Sequence, residues 1–292
     1  MPPMENLSIV IPVFNEERGL PETITFFKNL IKNNPKVEVI FVDDASTDKS
    51  AEILSSSQEP GIKIIRHKKN KGYGASLKTG LGRVKYDHFC ITDADGSYPN
   101  EKIPSLFERL LSEEAAMVVG QRTGKALDPG VFRKLSKFAL RKLAEHLSRE
   151  TIADFNSGLR IAKTSLVLKA QGYLPDGFSF TTTLTLFMLS TNQPIIYVPI
   201  DYHKRKGRSK IRPIRDTLNF IQLIIRTIMF FNPLRVFLPL SLFFIVLSLL
   251  VLVISYVLGR IMDITTIVLF VTGIQLLALG LLADLIDKRL GK

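Results

Sequence analysis

Short apolar segments alternate with longer amphipathic segments from the start of the chain to about residue 120. The short segments are rich in Val, Ile and Phe and predict strands. The predicted strands are residues 7–13, 37–42, 62–65, 88–92, 116–120 and 195–200. The longer segments carry apolar residues at helical spacing, and the predicted helices are residues 20–33, 48–57, 73–85 and 101–111. This alternation predicts an α/β fold in which helices cover a mostly parallel sheet.

Polar residues follow four of the predicted strands. These segments are residues 12–17, 43–46, 93–97 and 120–122. The carboxyl ends of parallel strands lie at one edge of a sheet, and α/β proteins bind their ligands at that edge. We therefore expect the four segments to converge into one site. No glycine-rich turn follows the first strand, which argues against a nicotinamide or flavin site.

The chain between about residue 130 and residue 202 has a less regular pattern. It predicts a helix over residues 131–147, a polar segment at 154–160 and the last strand. We assign this part to the acceptor side of the same domain.

Two uncharged apolar stretches dominate the C-terminal part of the chain. Residues 236–259 and 264–283 are each long enough to cross a hydrocarbon core of about 30 Å as a helix. Because the linker at 260–263 is short, both outer ends should lie on one side, and the pattern predicts a two-helix transmembrane hairpin. A buried hairpin in a soluble core is the alternative.

A predicted helix at 214–231 precedes the hairpin. Its polar residues recur at helical spacing: Arg215, Asn219, Gln222 and Arg226. An amphipathic helix of this kind fits the membrane interface, and packing against the globular domain is the alternative. The predicted organisation is an α/β domain at 1–210, a juxtamembrane helix at 211–233 and the hairpin with a short tail at 234–292.

The formal net charge is +12 at pH 7, which indicates nucleic acid, an anionic membrane or phosphorylated ligands as partners. A basic cluster directly precedes the first apolar stretch: Lys204, Arg205, Lys206, Arg208, Lys210, Arg212 and Arg215. This location favours a membrane, and nucleic acid is not an expected partner. Lys288, Arg289 and Lys292 follow the second stretch on the same side, so the positive-inside tendency predicts that this side faces the cytoplasm.

Paired aspartates are the strongest chemical signal. In isolation Asp93-Ala94-Asp95 would be typical of a turn or a helix cap. After a strand, and together with Asp43 and Asp44 after another strand, the motif indicates carboxylates that hold Mg²⁺ or Mn²⁺ on a diphosphate. We expect one of Asp43 and Asp44 to bind a base N–H and the other to be structural. The glycines of residues 70–75 are expected to let a ligand approach the backbone at the start of a helix.

These features resemble the family 2 glycosyltransferases of GT-A fold, and among them the polyprenyl-phosphate branch that includes the dolichol-phosphate mannose synthases. The segment Pro12-Val13-Phe14-Asn15-Glu16 is similar to the first nucleotide-contacting turn, Asp43-Asp44 to the base-binding pair and Asp93-Ala94-Asp95 to the metal motif. Ser209-Lys210 is similar to the Gly-x-Ser-Lys element that precedes the membrane in that branch. The resemblance identifies residues 1–210 as a GT-A glycosyltransferase domain.

The resemblance implies a role for each matching residue. Contacts to the nucleotide and the donor are implied for Pro12, Phe14, Glu16, Asp43, Asp44, Lys71, Asp93 and Ala94. The implied metal ligands are Asp93, Asp95 and Ser97, the last where mannose synthases often have a glutamine. Catalytic roles are implied for Asp95, Arg122, Arg160 and Lys210, and contacts to the acceptor phosphate for Arg122, Ser157, Arg160, Ser209 and Lys210. The alternative for Arg122 and Arg160 is an ordinary surface or ion-pair arginine.

By this resemblance, the reaction is an inverting, metal-dependent transfer of a sugar from a GDP- or UDP-sugar to dolichyl or undecaprenyl phosphate. Some relatives with a two-helix anchor are tetramers, so a homo-oligomer is expected. One alternative is a membrane glycosyltransferase with a polysaccharide or protein acceptor; processive synthases of that kind share a Gln-x-x-Arg-Trp element, and this chain has no tryptophan. The other alternative is a catalytically silent scaffold that binds nucleotide-sugar or a partner subunit.

Overall fold

The computed structural model describes residues 4, 6–123, 152–177, 179–203, 233–259 and 263–290. One seven-stranded sheet organises the first part of the chain, with the order β3-β2-β1-β4-β6-β5-β7. Its strands are β1 (Leu7–Val13), β2 (Val37–Asp43), β3 (Ile62–Arg66), β4 (His88–Ile91), β5 (Met117–Thr123), β6 (Arg160–Lys163) and β7 (Ile195–Asp201). Only β6 runs antiparallel to its neighbours, so the predicted α/β fold with a mostly parallel sheet is confirmed.

Six helices accompany the sheet in the described part of this domain. They are α1 (Leu20–Asn33), α2 (Ser50–Ser55), α3 (Tyr73–Leu81), α4 (Ile103–Ser112), α5 (Thr164–Ala170) and α6 (Phe180–Ser190). The first four were predicted, whereas β6, α5 and α6 were not. Helix α3 ends at Leu81 instead of residue 85 because the backbone N–H of Lys85 donates to the buried Glu38 and fixes the next loop. The predicted helices at 131–147 and 214–231 lie outside the described residues.

The core consists of two apolar layers, one on each face of the sheet. Strand β1 contributes Ile9 and Ile11 to the layer that contains Phe27 of α1, and Val10 to the layer that contains Leu77 of α3. Both faces of this central strand are therefore buried, as in parallel sheets covered by helices on each side. This is why the strand appears in the sequence as a continuous apolar run.

The antiparallel strand β6 brings a loop to the functional edge of the sheet. Its first residue, Arg160, pairs with Ile91 near the end of β4 and with Val119 in β5. A strand of opposite direction begins where its parallel neighbours end. The segment that precedes β6 therefore joins the carboxyl ends of the other strands.

Two long helices, α7 (Leu234–Val257) and α8 (Asp263–Leu290), pack against each other at the C-terminal end of the described chain. The hydroxyl of Ser241 donates to the Gly273 carbonyl at 2.8 Å, and a Cβ at Gly273 would lie 2.6 Å from Ile245. Small residues of this kind allow close helix packing. Both helices are long and apolar enough to cross a membrane, over Val236–Val257 and Ile264–Ile286, and most of their side chains are exposed.

Candidate active site

Hydrogen bonds join the loops that follow β1 and β2. The Asn15 backbone N–H donates to Ser46 Oγ at 3.0 Å, and Asn15 Oδ1 accepts from the Thr47 backbone N–H at 2.8 Å. The Glu16 backbone N–H donates to the Ser50 hydroxyl oxygen at 2.9 Å. Asn15 has a φ of 55°, a left-handed conformation that asparagine tolerates better than most residues. The structure thus brings the segment containing Pro12, Phe14 and Glu16 beside the aspartates of β2.

Both oxygens of the Asp44 carboxylate are hydrogen-bonded within the protein. Its Oδ1 lies 2.7 Å from His67 Nδ1 and accepts from the Lys71 backbone N–H at 2.8 Å, while Oδ2 accepts from the Gly72 backbone N–H at 2.8 Å. His67 is held in turn by Thr79 Oγ1, 2.9 Å from Nε2. Asp44 therefore shapes the turn that leads into α3.

The Asp43 carboxylate retains an acceptor. Its side chain is 2 % exposed, and Oδ1 accepts from the Ser46 backbone N–H at 2.9 Å. Oδ2 lies 3.2 Å from Arg66 Nε in an ion pair, yet it accepts no hydrogen bond from the described residues. The Arg66 side chain is 62 % exposed. Because buried acceptors are nearly always paired, Asp43 Oδ2 is a candidate partner for a ligand N–H.

The glycines at the start of α3 serve the chain itself, which corrects the expectation that they admit a ligand. A Cβ at Gly72 would lie 2.6 Å from the Asp176 carbonyl oxygen, and one at Gly74 would lie 2.1 Å from the Pro175 carbonyl oxygen. The Ala75 backbone N–H donates to the Asp176 carbonyl at 3.0 Å. These glycines therefore allow α3 to pack directly on another backbone segment.

The Asp93-Ala94-Asp95 motif follows β4 at the same edge. Tyr73 of α3 donates its hydroxyl to Asp93 Oδ1 at 3.0 Å, and a Cβ at Gly158 would lie 3.0 Å from Asp93 Oδ2. Asp95 Oδ1 accepts from both the backbone N–H and the hydroxyl of Ser97, at 2.9 and 2.5 Å. Ala94 is buried in the core, and its carbonyl accepts a hydrogen bond from Thr23 at 3.2 Å.

Asp93 and Asp95 are the described carboxylates that could hold a divalent ion shared with a ligand. Within the described ranges, no group of three His, Cys, Asp or Glu residues could complete a metal site. Mg²⁺ is often bound by only one or two carboxylates together with substrate phosphates and water, so Asp93 and Asp95 are sufficient from the protein. Ser97, predicted as a third ligand, is fully buried and donates its hydroxyl to Asp95, which gives it the geometry of a residue that orients this carboxylate.

Arg122 forms a partly buried ion pair with Asp154, a residue to which the sequence analysis assigned no role. Arg122 Nε and Nη2 each donate to an Asp154 oxygen at 2.8 Å. Burial opposes both charges, but the mutual hydrogen bonds outweigh it, raising the pKa of Arg122 and holding the pKa of Asp154 below its ordinary value. Tyr202 packs against the guanidinium, with Cζ 5.4 Å from the ring centroid. Among the described residues no acceptor binds Arg122 Nη1, so this group can serve a ligand.

Arg160 is 1 % exposed, and all its donors are used inside the protein. The guanidinium donates to the carbonyls of Ser157 and Thr181 at 2.6 and 2.7 Å, to Thr185 Oγ1 at 3.0 Å and to the Phe155 carbonyl at 3.4 Å. Burial lowers the pKa of Arg160, although arginine stays charged in proteins. A direct contact with a phosphate would require these bonds to break, so the geometry is that of a support for the loop before β6.

Ser157 and Lys71 complete the described candidates. Ser157 is fully buried and donates its hydroxyl to the Gly120 carbonyl at 2.6 Å, whereas the Lys71 side chain is exposed. Ser209 and Lys210 lie outside the described residues. The structure thus gathers the predicted residues of β1, β2, β4 and β5 at one edge, and it adds Tyr73, Tyr98 and Asp154. The sequence had marked two of these additions only by their segments, Tyr73 within residues 70–75 and Asp154 within the polar segment at 154–160.

Comparison with known proteins adds two family matches. The family described as Glycosyl transferase family 2 matches residues 8–169, and the GtrB C-terminal hairpin matches residues 232–288. The first match covers the paired aspartates and the loop before β6. The second covers α7 and most of α8.

Two curated relatives illustrate the similarity. The low-salt glycan biosynthesis hexosyltransferase Agl6 of Haloferax volcanii is 27 % identical over 214 residues, which is 72 % of this chain and 51 % of the relative. The undecaprenyl-phosphate 4-deoxy-4-formamido-L-arabinose transferase of Edwardsiella ictaluri is 30 % identical over 212 residues, 70 % of this chain and 62 % of the relative. The aligned part of the chain therefore spans only about half to three-fifths of these relatives.

Solved structures share the fold at lower identity. Glucosyl-3-phosphoglycerate synthase from Mycobacterium tuberculosis, in complex with phosphoglyceric acid, has a TM-score of 0.60 at 21 % identity, covering 76 % of this chain and 80 % of that one. The same enzyme has been solved with Mn²⁺, UDP and phosphoglyceric acid, again with a TM-score of 0.60. At this identity the comparison supports the fold alone.

Proposed function

Because the chain belongs to glycosyl transferase family 2, we propose that it transfers a sugar from a nucleotide-sugar to a polyprenyl phosphate at a membrane surface. The observation that carries the proposal is the combination of two features in one chain. A family 2 domain has carboxylates at the edge of its sheet, and an apolar hairpin that matches the GtrB C-terminal hairpin follows it. A relative that uses undecaprenyl phosphate supports this choice of acceptor. The product would be a lipid-linked monosaccharide.

We assign base recognition to Asp43 and a structural role to Asp44. Asp43 Oδ2 is a buried acceptor without a hydrogen bond from the described residues, whereas Asp44 is occupied by His67 and two backbone N–H groups. Pro12, Phe14 and Glu16 lie on the neighbouring loop and would flank the nucleotide. The exposed side chain of Lys71 would approach the donor phosphates.

Substitution of the two aspartates separates these roles. We expect Asp43→Asn to raise the donor KM by roughly 10-fold to 100-fold, because the ligand N–H loses its hydrogen bond to a charged acceptor. Asp44→Asn should mainly lower the thermal unfolding midpoint, because the turn before α3 loses a charged acceptor. Donor KM and thermal unfolding, measured on both variants, check the assignment. A selective rise in donor KM in Asp44→Asn alone would reverse it.

Asp93 and Asp95 would hold Mg²⁺ or Mn²⁺, with Ala94 between them and Ser97 orienting Asp95. When bound, such an ion supplies charge that stabilises the leaving diphosphate. The Mn²⁺ bound by a solved enzyme of the same fold is consistent with this assignment. The described residues themselves contribute the two carboxylates and the hydrogen bonds that fix their orientation.

The acceptor brings its own nucleophile. A phosphate monoester has a second pKa of about 6 and is largely dianionic at neutral pH, so a protein base is not required. The site must hold this oxygen in line with the anomeric carbon and offset the repulsion between two phosphate groups. We assign this task to Arg122, because Asp154 fixes its guanidinium and keeps it charged. Attack from the face opposite the leaving group would invert the anomeric centre.

Arg160 and Ser157 receive indirect roles in this proposal. Their hydrogen bonds hold the loop that carries Asp154, so they position Arg122. Ser209 and Lys210 remain proposed contacts to the acceptor phosphate through the family resemblance.

Lys210→Ala provides a test of the proposed juxtamembrane contact. We expect the acceptor KM to rise by about 10-fold, because a charged donor to phosphate is removed, while the donor KM is unchanged. Initial rates at varied polyprenyl phosphate measure both constants. A kinetic profile identical to wild type would remove Lys210 from the site.

The proposed organisation keeps residues 1–210 as the catalytic domain, 211–233 as an interfacial helix and 234–292 as the membrane hairpin. The catalytic domain would face the cytoplasm, because the basic clusters that precede and follow the hairpin favour the cytoplasmic side. The acceptor tail would stay in the bilayer while its phosphate reaches the sheet edge. A homo-oligomer, including a tetramer, is compatible with this organisation.

One experiment tests the proposed function. Purified full-length protein in detergent receives UDP- or GDP-sugars, a short polyprenyl phosphate and Mn²⁺, and the products are identified by mass spectrometry. We expect one donor to yield a glycosyl polyprenyl phosphate. Transfer only to a polysaccharide or protein would favour that acceptor class instead. Donor binding without any turnover across the panel would favour a silent scaffold.

A further inference from the structure

Tyr73 joins two parts of the candidate site that are far apart in the sequence. It follows Gly72, whose backbone N–H donates to Asp44 Oδ2, and its hydroxyl donates to Asp93 Oδ1 at 3.0 Å. The segment 72–73 therefore connects Asp44, which shapes the turn before α3, with Asp93 of the metal motif. No family motif quoted above includes this tyrosine.

The backbone that carries Tyr73 is fixed on two sides. Asp44 binds the turn before it, and the Asp176 carbonyl accepts a hydrogen bond from the Ala75 backbone N–H at 3.0 Å. The close packing at Gly74 leaves no room for a side chain at this position. The hydroxyl of Tyr73 is consequently delivered to Asp93 from a rigid helix terminus.

Gly158 packs beside the Asp93 carboxylate. A Cβ there would lie 3.0 Å from Asp93 Oδ2 and 3.1 Å from Oδ1, and the Gly158 backbone N–H donates to the Tyr98 hydroxyl oxygen at 2.6 Å. The carboxylate is thus held between a tyrosine hydroxyl and a backbone segment that is itself hydrogen-bonded.

We propose that Tyr73 is a positioning residue that fixes the Asp93 carboxylate for the divalent ion of a nucleotide-sugar complex. The inference rests on the metal assignment of the proposed function. The hydrogen bond from Tyr73 to Asp93 Oδ1 fixes the orientation of the carboxylate that would bind the ion. Removal of a hydrogen-bond partner of a metal ligand typically lowers the metal affinity by about 10-fold to 100-fold.

The test is Tyr73→Phe in the full-length protein, with Mn²⁺ binding measured by the electron paramagnetic resonance signal of free Mn²⁺ in the presence of UDP or GDP. We expect Mn²⁺ affinity to fall by about 10-fold. Nucleotide affinity in EDTA and the thermal midpoint should be unchanged, since only one hydroxyl is lost. Tyr173→Phe is the matched control, because the ring of Tyr173 stacks on Phe187 and lies in neither aspartate motif.

Asp93→Asn distinguishes the positioning role of Tyr73 from the metal assignment of Asp93. If Asp93→Asn loses Mn²⁺ binding while Tyr73→Phe keeps wild-type affinity, the positioning role is overturned and the metal site stands. If Asp93→Asn also keeps wild-type affinity, the metal assignment itself is wrong. A parallel fall in the thermal midpoint and in metal-free nucleotide binding of Tyr73→Phe would indicate a general structural role and would also overturn the inference.

Discussion

Replacing Asp95 with Asn should lower the rate of sugar transfer by on the order of 10³-fold, because a charge that stabilises the leaving diphosphate can no longer be held in place. Asn keeps the size of Asp and an oxygen that can accept the hydrogen bonds from Ser97. The variant should therefore fold with a thermal midpoint near that of wild type. Initial rates at saturating donor and Mn²⁺ measure the effect.

Asp87→Asn is the control for the loss of one carboxylate. Asp87 is exposed and precedes β4, so it stands at the opposite end of the strand from the metal motif. Transfer by this control should equal that of wild type. Full activity of Asp95→Asn, measured beside it, would exclude Asp95 as a metal ligand.

Replacing Arg122 with Met should have two separable effects, on transfer and on stability. The rate of sugar transfer should fall by about 100-fold, because the guanidinium assigned to the phosphate groups is lost. The free energy of unfolding should fall by roughly 1 to 3 kcal/mol, because the partly buried Asp154 carboxylate is left without its partner. Chemical denaturation in detergent and initial rates report the two quantities independently.

The stability loss should depend on pH with a defined sign. In the wild type, Arg122 holds the pKa of Asp154 below its ordinary value, so the ion pair stabilises the fold above the unfolded pKa of about 3.9 and loses this effect as pH falls through the folded pKa. In Arg122→Met, protonation of the unpaired Asp154 carboxylate stabilises the folded protein, because it removes the uncompensated charge. The difference in unfolding free energy between the two proteins should therefore narrow on acidification.

The double variant Arg122→Met with Asp154→Asn controls for the unpaired charge. It removes both ionisable groups, so it should recover much of the lost stability at neutral pH without recovering transfer. A double variant as unstable as Arg122→Met would show that the instability does not come from the unpaired carboxylate. Recovery of transfer would remove Arg122 from the reaction.

Local sequence patterns were sufficient for much of the architecture. The apolar runs of β1 and β2 predicted strands because both faces of central parallel strands are buried, and α1 was predicted with the bounds that the structure gives. The position of Asp43 and of Asp93 after such strands predicted their convergence, because parallel strands end at one edge. The hairpin followed from length and apolar composition alone.

The antiparallel strand β6 could not be predicted in the same way. Its four residues are too few to show a period, and its direction depends on pairing with β4 and β5. The loop before it, with Asp154 and Gly158, therefore acquired a place in the site only through tertiary structure. The sequence had marked that loop as polar without indicating its partners.

Side-chain roles at the sheet edge were decided in three dimensions. The sequence determined that charged residues gather at this edge, because that depends only on strand order and chain direction. Burial and hydrogen-bond partners come from segments distant along the chain. Among the described residues, these partners occupy both oxygens of Asp44 and enclose Arg160, whereas Asp43 keeps an acceptor and Arg122 keeps a donor group. A residue type specifies what a side chain can do, and only its packed neighbours specify which of those capacities remain for a ligand.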